Sequence, residues 1–299
     1  MVNMPTFLII GAARSGTTAL YGYLKQHPDI YMCPHKETNF FAFENESLNC
    51  SGPGEDYINN STTKLLDYQR LFADVANEKA IGEASPLYLY IKKTPERIHH
   101  HLPNVKLIAI LRNPVEQAFS HYLYAKRQML EPLNDFTLAL QSQPERQRKN
   151  WQPLFQYSHF PKYHQQLTRY YGLFPDNQIR LYTYEEYEQN PQAVLSDIYD
   201  FIGVDKNFVA NFSYRPNAGG VPKNRILQDI VMKPYLITRL AGSMIPEKVK
   251  QRIRDAVSDR NLEKPQLPAE AKDLLIAELR DDILKLQDLI KRDLSSWLR

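Results

Sequence analysis

The sequence predicts an α/β fold: a P-loop-like parallel β-sheet flanked by helices, followed by a helical C-terminal part. Three observations predict it. Apolar runs alternate along the chain with segments whose apolar residues recur at a helical period. Two of those runs, 6–10 and Lys106-Leu107-Ile108-Ala109-Ile110-Leu111, are almost continuous, the pattern of strands covered on both faces. The first passes directly into Gly11-Ala12-Ala13-Arg14-Ser15-Gly16-Thr17-Thr18, a turn bounded by glycines that opens a helix. Such alternation favours parallel strands joined by right-handed helical crossovers.

In chain order the pattern gives a strand at 6–10, a helix at 17–26, a strand near 79–82 and a helix at 94–101. A strand at 106–111, a helix at 115–129, a strand at 178–182 and a helix at 191–202 follow. Phe43 to Tyr68 is rich in Asn, Ser, Gly and Thr and reads as loop followed by a short helix. Gln141 to Gln156, with Pro144, Pro153, Arg146, Arg148 and Lys149, is a second irregular stretch. Both are long enough to serve as lids over an acceptor, and equally suit surface loops. From Pro268 onward, Leu274, Leu275, Leu279, Ile283, Leu286, Leu289, Ile290, Leu294 and Trp297 form an apolar stripe near period 3.6. Its polar face carries mixed charge, so docking within the fold is expected in preference to a membrane-surface or dimer helix. One domain over 1–299 is expected, with its core over about 6–225 and the helical part over about 226–299.

Composition narrows the function classes. A chain of 299 residues with 43% hydrophobic and 24% charged content can bury one large core. Lys+Arg 37 against Asp+Glu 34, a formal net charge of +3, is too balanced for a nucleic-acid binder. Met1 to Pro5 shows no cationic region leading into an apolar core, and no run of about eighteen apolar residues occurs, so a cytoplasmic protein is expected. The two cysteines, Cys33 and Cys50, fit neither a zinc knuckle nor a disulfide framework and are expected as free thiols. Consecutive helical residues point about 100° apart, so His99-His100-His101 reads as a solvated helix end and no metal site is expected. His27 and His121 read as packing or surface residues.

The chemistry concentrates in two turns. A nucleotide triphosphatase loop places lysine directly after its second glycine, followed by the hydroxyl that holds magnesium. Here Thr17 takes the lysine position and the cation lies upstream at Arg14. Glycines at 11 and 16 let successive N–H groups converge on one anion, and the helix start adds more. The site therefore suits an anion and is poorly built for a metal-bridged γ-phosphate. The strand at 106–111 ends in Arg112-Asn113-Pro114 where a phosphoryl-transfer enzyme would present an acidic magnesium ligand. Ser120 follows about two helical turns later, within reach of the anion that Arg112 would hold.

Taken together, Gly-Ala-Ala-Arg-Ser-Gly-Thr-Thr and Leu-Arg-Asn-Pro-x5-Ser-His-Tyr resemble the sulfotransferases that use 3′-phosphoadenosine 5′-phosphosulfate (PAPS). The resemblance implies that Arg14, Ser15, Gly16, Thr17 and Thr18 bind the 5′-phosphosulfate, with Arg14 where eukaryotic members carry lysine. It implies that Arg112 and Ser120 bind the 3′-phosphate and that adenosine 3′,5′-bisphosphate is the product. Ile179 to Tyr187 resembles the family strand whose tyrosine packs near adenine, which implicates Tyr184. The basic segment from Arg215 to Lys223 sits where the family closes a late loop over the 3′-phosphate, which implicates Arg215 and Lys223.

The base follows from the same comparison. Cytosolic small-molecule members use a histidine in a Lys-Thr-His segment, and the corresponding stretch here is Ile81-Gly82-Glu83-Ala84-Ser85-Pro86. Lys36-Glu37-Thr38-Asn39-Phe40-Phe41 instead resembles the carbohydrate-type members, including the heparan sulfotransferases, and implies Glu37 as base. Those enzymes carry a lysine where this chain has Ala84. The implied reaction is in-line transfer of the sulfuryl group to a hydroxyl or amine of a carbohydrate, glycolipid or small metabolite. Two other functions share parts of the pattern. A P-loop nucleotide kinase would want lysine after Gly16 and an acidic ligand in place of Arg112. A noncatalytic phosphonucleotide-binding module would keep Arg14, Arg112 and Ser120 without needing Glu37.

Overall fold

Five strands form where apolar residues are densest, and all run parallel. The computed structural model describes residues 3–213, 221–223, 262–263 and 265–299. Strands β1 (Phe7–Gly11), β2 (Ile30–Met32), β3 (Ala80–Ala84), β4 (Lys106–Leu111) and β5 (Ile179–Thr183) lie in the order β2-β3-β1-β4-β5. Side chains alternate between two faces. Leu8, Ile10, Leu107, Ala109 and Leu111 enter one core, and Phe7, Ile9, Ile108 and Ile110 enter the other. Full burial of each such aliphatic side chain contributes about 1.5–3 kcal/mol, which is why these runs and not the polar segments fix the sheet.

The register brings one end of every strand to a common edge: Ile9 lies opposite Ala84 and Ile108, and Leu111 opposite Thr183. After β1 the chain fills one side of the sheet with β2 and β3, then crosses to the other with β4 and β5. The C-terminal ends of β1, β3 and β4 therefore border a topological switch point, where open α/β sheets bind ligands.

Helices cover the sheet. Among the described residues they are α1 (Thr17–Leu24), α2 (Phe40–Phe43), α3 (Asp56–Asn59), α4 (Leu65–Arg70), α5 (Leu87–Tyr90), α6 (Thr94–His101) and α7 (Pro114–Arg127). Then come α8 (Phe136–Gln141), α9 (Gln143–Arg148), α10 (Tyr163–Tyr171), α11 (Tyr184–Gln189), α12 (Pro191–Ile202) and α13 (Ala269–Ile290). A short antiparallel pair joins β6 (Val221–Pro222) to β7 (Leu262–Glu263). Among the described residues no helix is long and apolar enough to cross a membrane.

Several expectations needed correction. Strand β2 has three residues, too few to show a periodic signal, and the pattern did not predict it. Strand β3 runs on to Ala84 through Gly82 and Glu83, which break the apolar run. Gly82 is there because Phe7 lies across it: a Cβ would meet that ring at 2.2 Å. The stretch 141–156 is ordered, with α9 inside it, because Arg146 makes two 2.7 Å bonds to the fully buried Glu131 carboxylate and stacks near Trp151 and Phe155. His101 is no free helix end either, since its Nε2 lies 2.7 Å from Glu44 Oε1. Cys33 and Cys50 are free, as expected.

The C-terminal stripe does dock. Ala271, Leu275, Leu279, Ile283 and Leu286 of α13 are buried in the first of the two cores. The Asp282 carboxylate accepts the backbone N–H groups of His164 (2.9 Å) and Gln165 (3.2 Å), capping the start of α10 from outside that helix.

Candidate active site

The turn after β1 is held at both flanks by the neighbouring β4 connection. The Ala12 N–H donates to the Ile110 carbonyl at 2.8 Å. Gln117 Nε2 donates to the Ala13 carbonyl at 3.0 Å, and Arg112 Nη1 to the Arg14 carbonyl at 3.4 Å. Gly16 takes φ 87°, and a Cβ there would meet the Tyr187 ring at 2.9 Å. Gly11 is the last residue of β1, and the Leu89 side chain would lie 2.7 Å from a Cβ placed there. Arg14 is left-handed as well as Gly16, at φ 64°, a conformation that costs a non-glycine residue of order 1 kcal/mol. Helix α1 begins at Thr17 with no side-chain cap and no acidic residue in its first turn, leaving its N–H groups open to an anion. Thr17 is buried and Thr18 half-buried.

Two guanidinium groups meet at this edge. Arg14 lies over the Tyr124 ring at 4.5 Å, and Arg112 over the Tyr184 ring at 4.7 Å. Burial lowers the Arg14 pKa; Tyr124 and Glu37 oppose that shift, while Arg112 and Arg127 add to it. Arginine stays charged regardless, so the pair repels across a partly dehydrated gap that an anion would neutralise. Arg14 Nε and Ser15 Oγ are buried with no hydrogen-bond partner among the described residues. Arg112 also reaches Glu116 at 3.1 Å, a half-exposed i,i+4 pair whose contribution is small.

Glu37 completes the cluster. Its N–H donates to the Ala84 carbonyl at 2.9 Å, its φ is 65°, and its carboxylate pairs with the adjacent Lys36. Its charge acts on both Arg14 and Tyr124. The fold thus gathers Arg14, Ser15, Gly16, Thr17, Thr18, Arg112, Tyr184 and Glu37 at the ends of β1, β3, β4 and β5. Ser120 is half-buried on α7, but the hydrogen bonds of Arg112 go to Arg14 and Glu116 and not to it. Lys223 is exposed just after β6. Arg215 lies outside the described residues.

Sequence reading missed Gln117 and Tyr124, and gave His121 a packing or surface role. All three lie on the face of α7 turned to the loop, at i, i+4 and i+7 from Gln117, a spacing that was available once the helix was placed. His121 does pack, against Phe160 at 4.6 Å, but burial and the Arg14 charge also push its pKa down to about 3. A neutral imidazole therefore backs the cationic loop. Phe40, Phe41 and Tyr88, close to this edge in the chain, are fully buried core residues.

Comparison with known proteins gives the chain a family and a fold. The model of the Sulfotransferase family matches residues 5–207. A sulfotransferase of Alicyclobacillus acidocaldarius, known from its crystal structure, is 31% identical with a TM-score of 0.78, covering 100% of both chains. The membrane-associated sulfotransferase kil1 of Dictyostelium discoideum is 25% identical over 79% of this chain, which spans only 63% of that relative's length. Heparan sulfate glucosamine 3-O-sulfotransferase 6 of Mus musculus is 26% identical over 84% of this chain and 68% of its own.

Proposed function

Because this chain belongs to the sulfotransferase family, we propose that it moves the sulfuryl group of PAPS to a hydroxyl or amine of an acceptor, with Glu37 as base and no metal. The observation that carries this reading is the convergence of Arg14, Arg112 and Glu37 at one sheet edge, where the Arg112 guanidinium bonds the Arg14 carbonyl. The unpartnered Arg14 Nε and Ser15 Oγ fit the oxygens of a phosphosulfate. PAPS supplies an activated sulfur: the acceptor oxygen or nitrogen bonds to it as the S–O bond to the 5′-phosphate breaks, releasing adenosine 3′,5′-bisphosphate.

Each residue then has a distinct task. Glu37 takes the acceptor proton, which raises the rate by about 10²–10⁴-fold in comparable reactions. Arg14, with the N–H groups of residues 15–18, stabilises charge growing on the leaving phosphate. Arg112, together with Ser120 and with Arg215 and Lys223 of the later segment, holds the 3′-phosphate, and Tyr184 borders the adenine. The mouse relative acts on a glucosamine, which favours a carbohydrate acceptor within the wider set of carbohydrates, glycolipids and small metabolites. Residues 1–299 are read as one domain, since α13 joins the core that also covers the sheet.

Transfer of labelled sulfate from PAPS to a panel of sugar, glycolipid and amine acceptors tests the reading. Labelled product with at least one acceptor is expected. PAPS binding with no transfer to any of them would favour the noncatalytic nucleotide-binding module, and transfer from ATP with magnesium would favour a kinase.

A further inference from the structure

The segment that carries Glu37 is tied to the end of β3 by a buried polar chain separate from the donor-binding groups. Ser85 Oγ donates to Glu83 Oε1 at 2.5 Å and accepts the Asn39 N–H at 3.1 Å. Both side chains are fully buried. With the Glu37 N–H bonded to the Ala84 carbonyl, residues 37 and 39 are each fastened to the stretch 83–85. Glu37 and Asn39 both hold left-handed backbone, at φ 65° and 54°, in a turn with no glycine to relieve it. A second tie lies alongside, where Thr38 Oγ1 and Tyr88 Oη are 3.3 Å apart.

The direction of these bonds gives the two residues their roles. A serine hydroxyl has one proton, so spending it on Glu83 turns a lone pair toward the Asn39 N–H. Burial pushes the Glu83 carboxyl up to about 7, and the hydrogen bond from Ser85 is the first interaction that opposes that shift. Neither side chain bonds a residue of the 11–18 loop.

We propose that Glu83 and Ser85 are positioning residues for the transfer reaction: the carboxyl orients the hydroxyl, the hydroxyl holds the Asn39 amide, and together they fix the left-handed turn that aims Glu37 at the acceptor. This rests on the assignment of Glu37 as base. Misplacing a reacting group by about 1 Å can cost 10²-fold in rate, so the effect falls on kcat and not on donor affinity.

The test compares kcat at saturating PAPS with the calorimetric Kd for adenosine 3′,5′-bisphosphate in Ser85→Ala, Ser85→Cys, Glu83→Leu and Glu83→Gln. Ser85→Ala and Glu83→Leu are expected to lose about 10–10²-fold in kcat with Kd within about twofold of wild type. Glu83→Gln, whose amide oxygen still accepts from Ser85, is expected to recover most of the rate. Ser85→Cys preserves the packing and weakens both hydrogen bonds, so it gives an intermediate kcat even where Ser85→Ala does not fold. Wild-type kcat in a folded Ser85 variant, an equal loss of kcat and affinity, or Glu83→Gln as slow as Glu83→Leu would overturn the proposal. Glu37→Gln is measured beside them. Wild-type turnover in Glu37→Gln removes the base assignment itself, whereas an inactive Glu37→Gln beside a fully active Ser85→Ala removes only the positioning role.

Discussion

Arg14 occupies a left-handed backbone position that turns its carbonyl to Arg112 and its guanidinium onto Tyr124. One residue thereby ties the first cationic turn to the second through its backbone and to α7 through its side chain. At this scale the proposed base gives the sharpest expectation. Glu37→Gln keeps the shape and removes the proton acceptor, so transfer falls by about 10²–10⁴-fold while PAPS affinity stays near wild type, read from steady-state rates and calorimetry. His121 gives a pH expectation. Its pKa is about 3 when folded and near 6.5 when unfolded, so the unfolded chain binds the extra proton between those values. Stability attributable to this group is whole above pH 6.5 and is lost as pH falls toward 3. His121→Leu should therefore lose less stability than wild type over that interval in urea titrations, and parallel pH curves would contradict the assignment.

Elements were legible in proportion to their length and burial. Strands β1 and β4 stood out because both of their faces are covered, so nothing polar interrupts them. Strand β2 has three residues, and Glu83 hides the end of β3 by placing a carboxyl inside the core. Polar composition made 141–156 look irregular, although the long-range Arg146–Glu131 pair orders it, and such a partner has no local signature. In the site, the contiguous motifs stand out along the chain, and the fold brings their Arg14, Arg112 and Glu37 near one another. Gln117 and Tyr124 do not stand out, because their role appears only when α7 is laid against the loop. The α10–α13 junction yields a prediction at this scale. Asp282→Ala strips the cap from α10 and should cost about 1–2 kcal/mol by urea unfolding, while Asp282→Asn, which still presents an oxygen to the His164 and Gln165 amides, should restore most of it.

For the whole molecule, a formal net charge of +3 provides little long-range attraction for a polyanionic nucleotide. Donor affinity has to come from the local arrangement that the sheet imposes: β1 and β4 are neighbours, so their two arginine-bearing ends lie at one switch point. In the proposed function these two turns hold one adenosine bisphosphate without a divalent ion. Calorimetric titration of adenosine 3′,5′-bisphosphate in the presence of EDTA, for wild type, Arg14→Ala and Arg112→Ala, checks this. Binding by wild type in chelator, weakened by at least about tenfold in each variant, is the predicted result, a loss of about 1.4 kcal/mol apiece. Binding that requires magnesium, or that survives both substitutions unchanged, would contradict it.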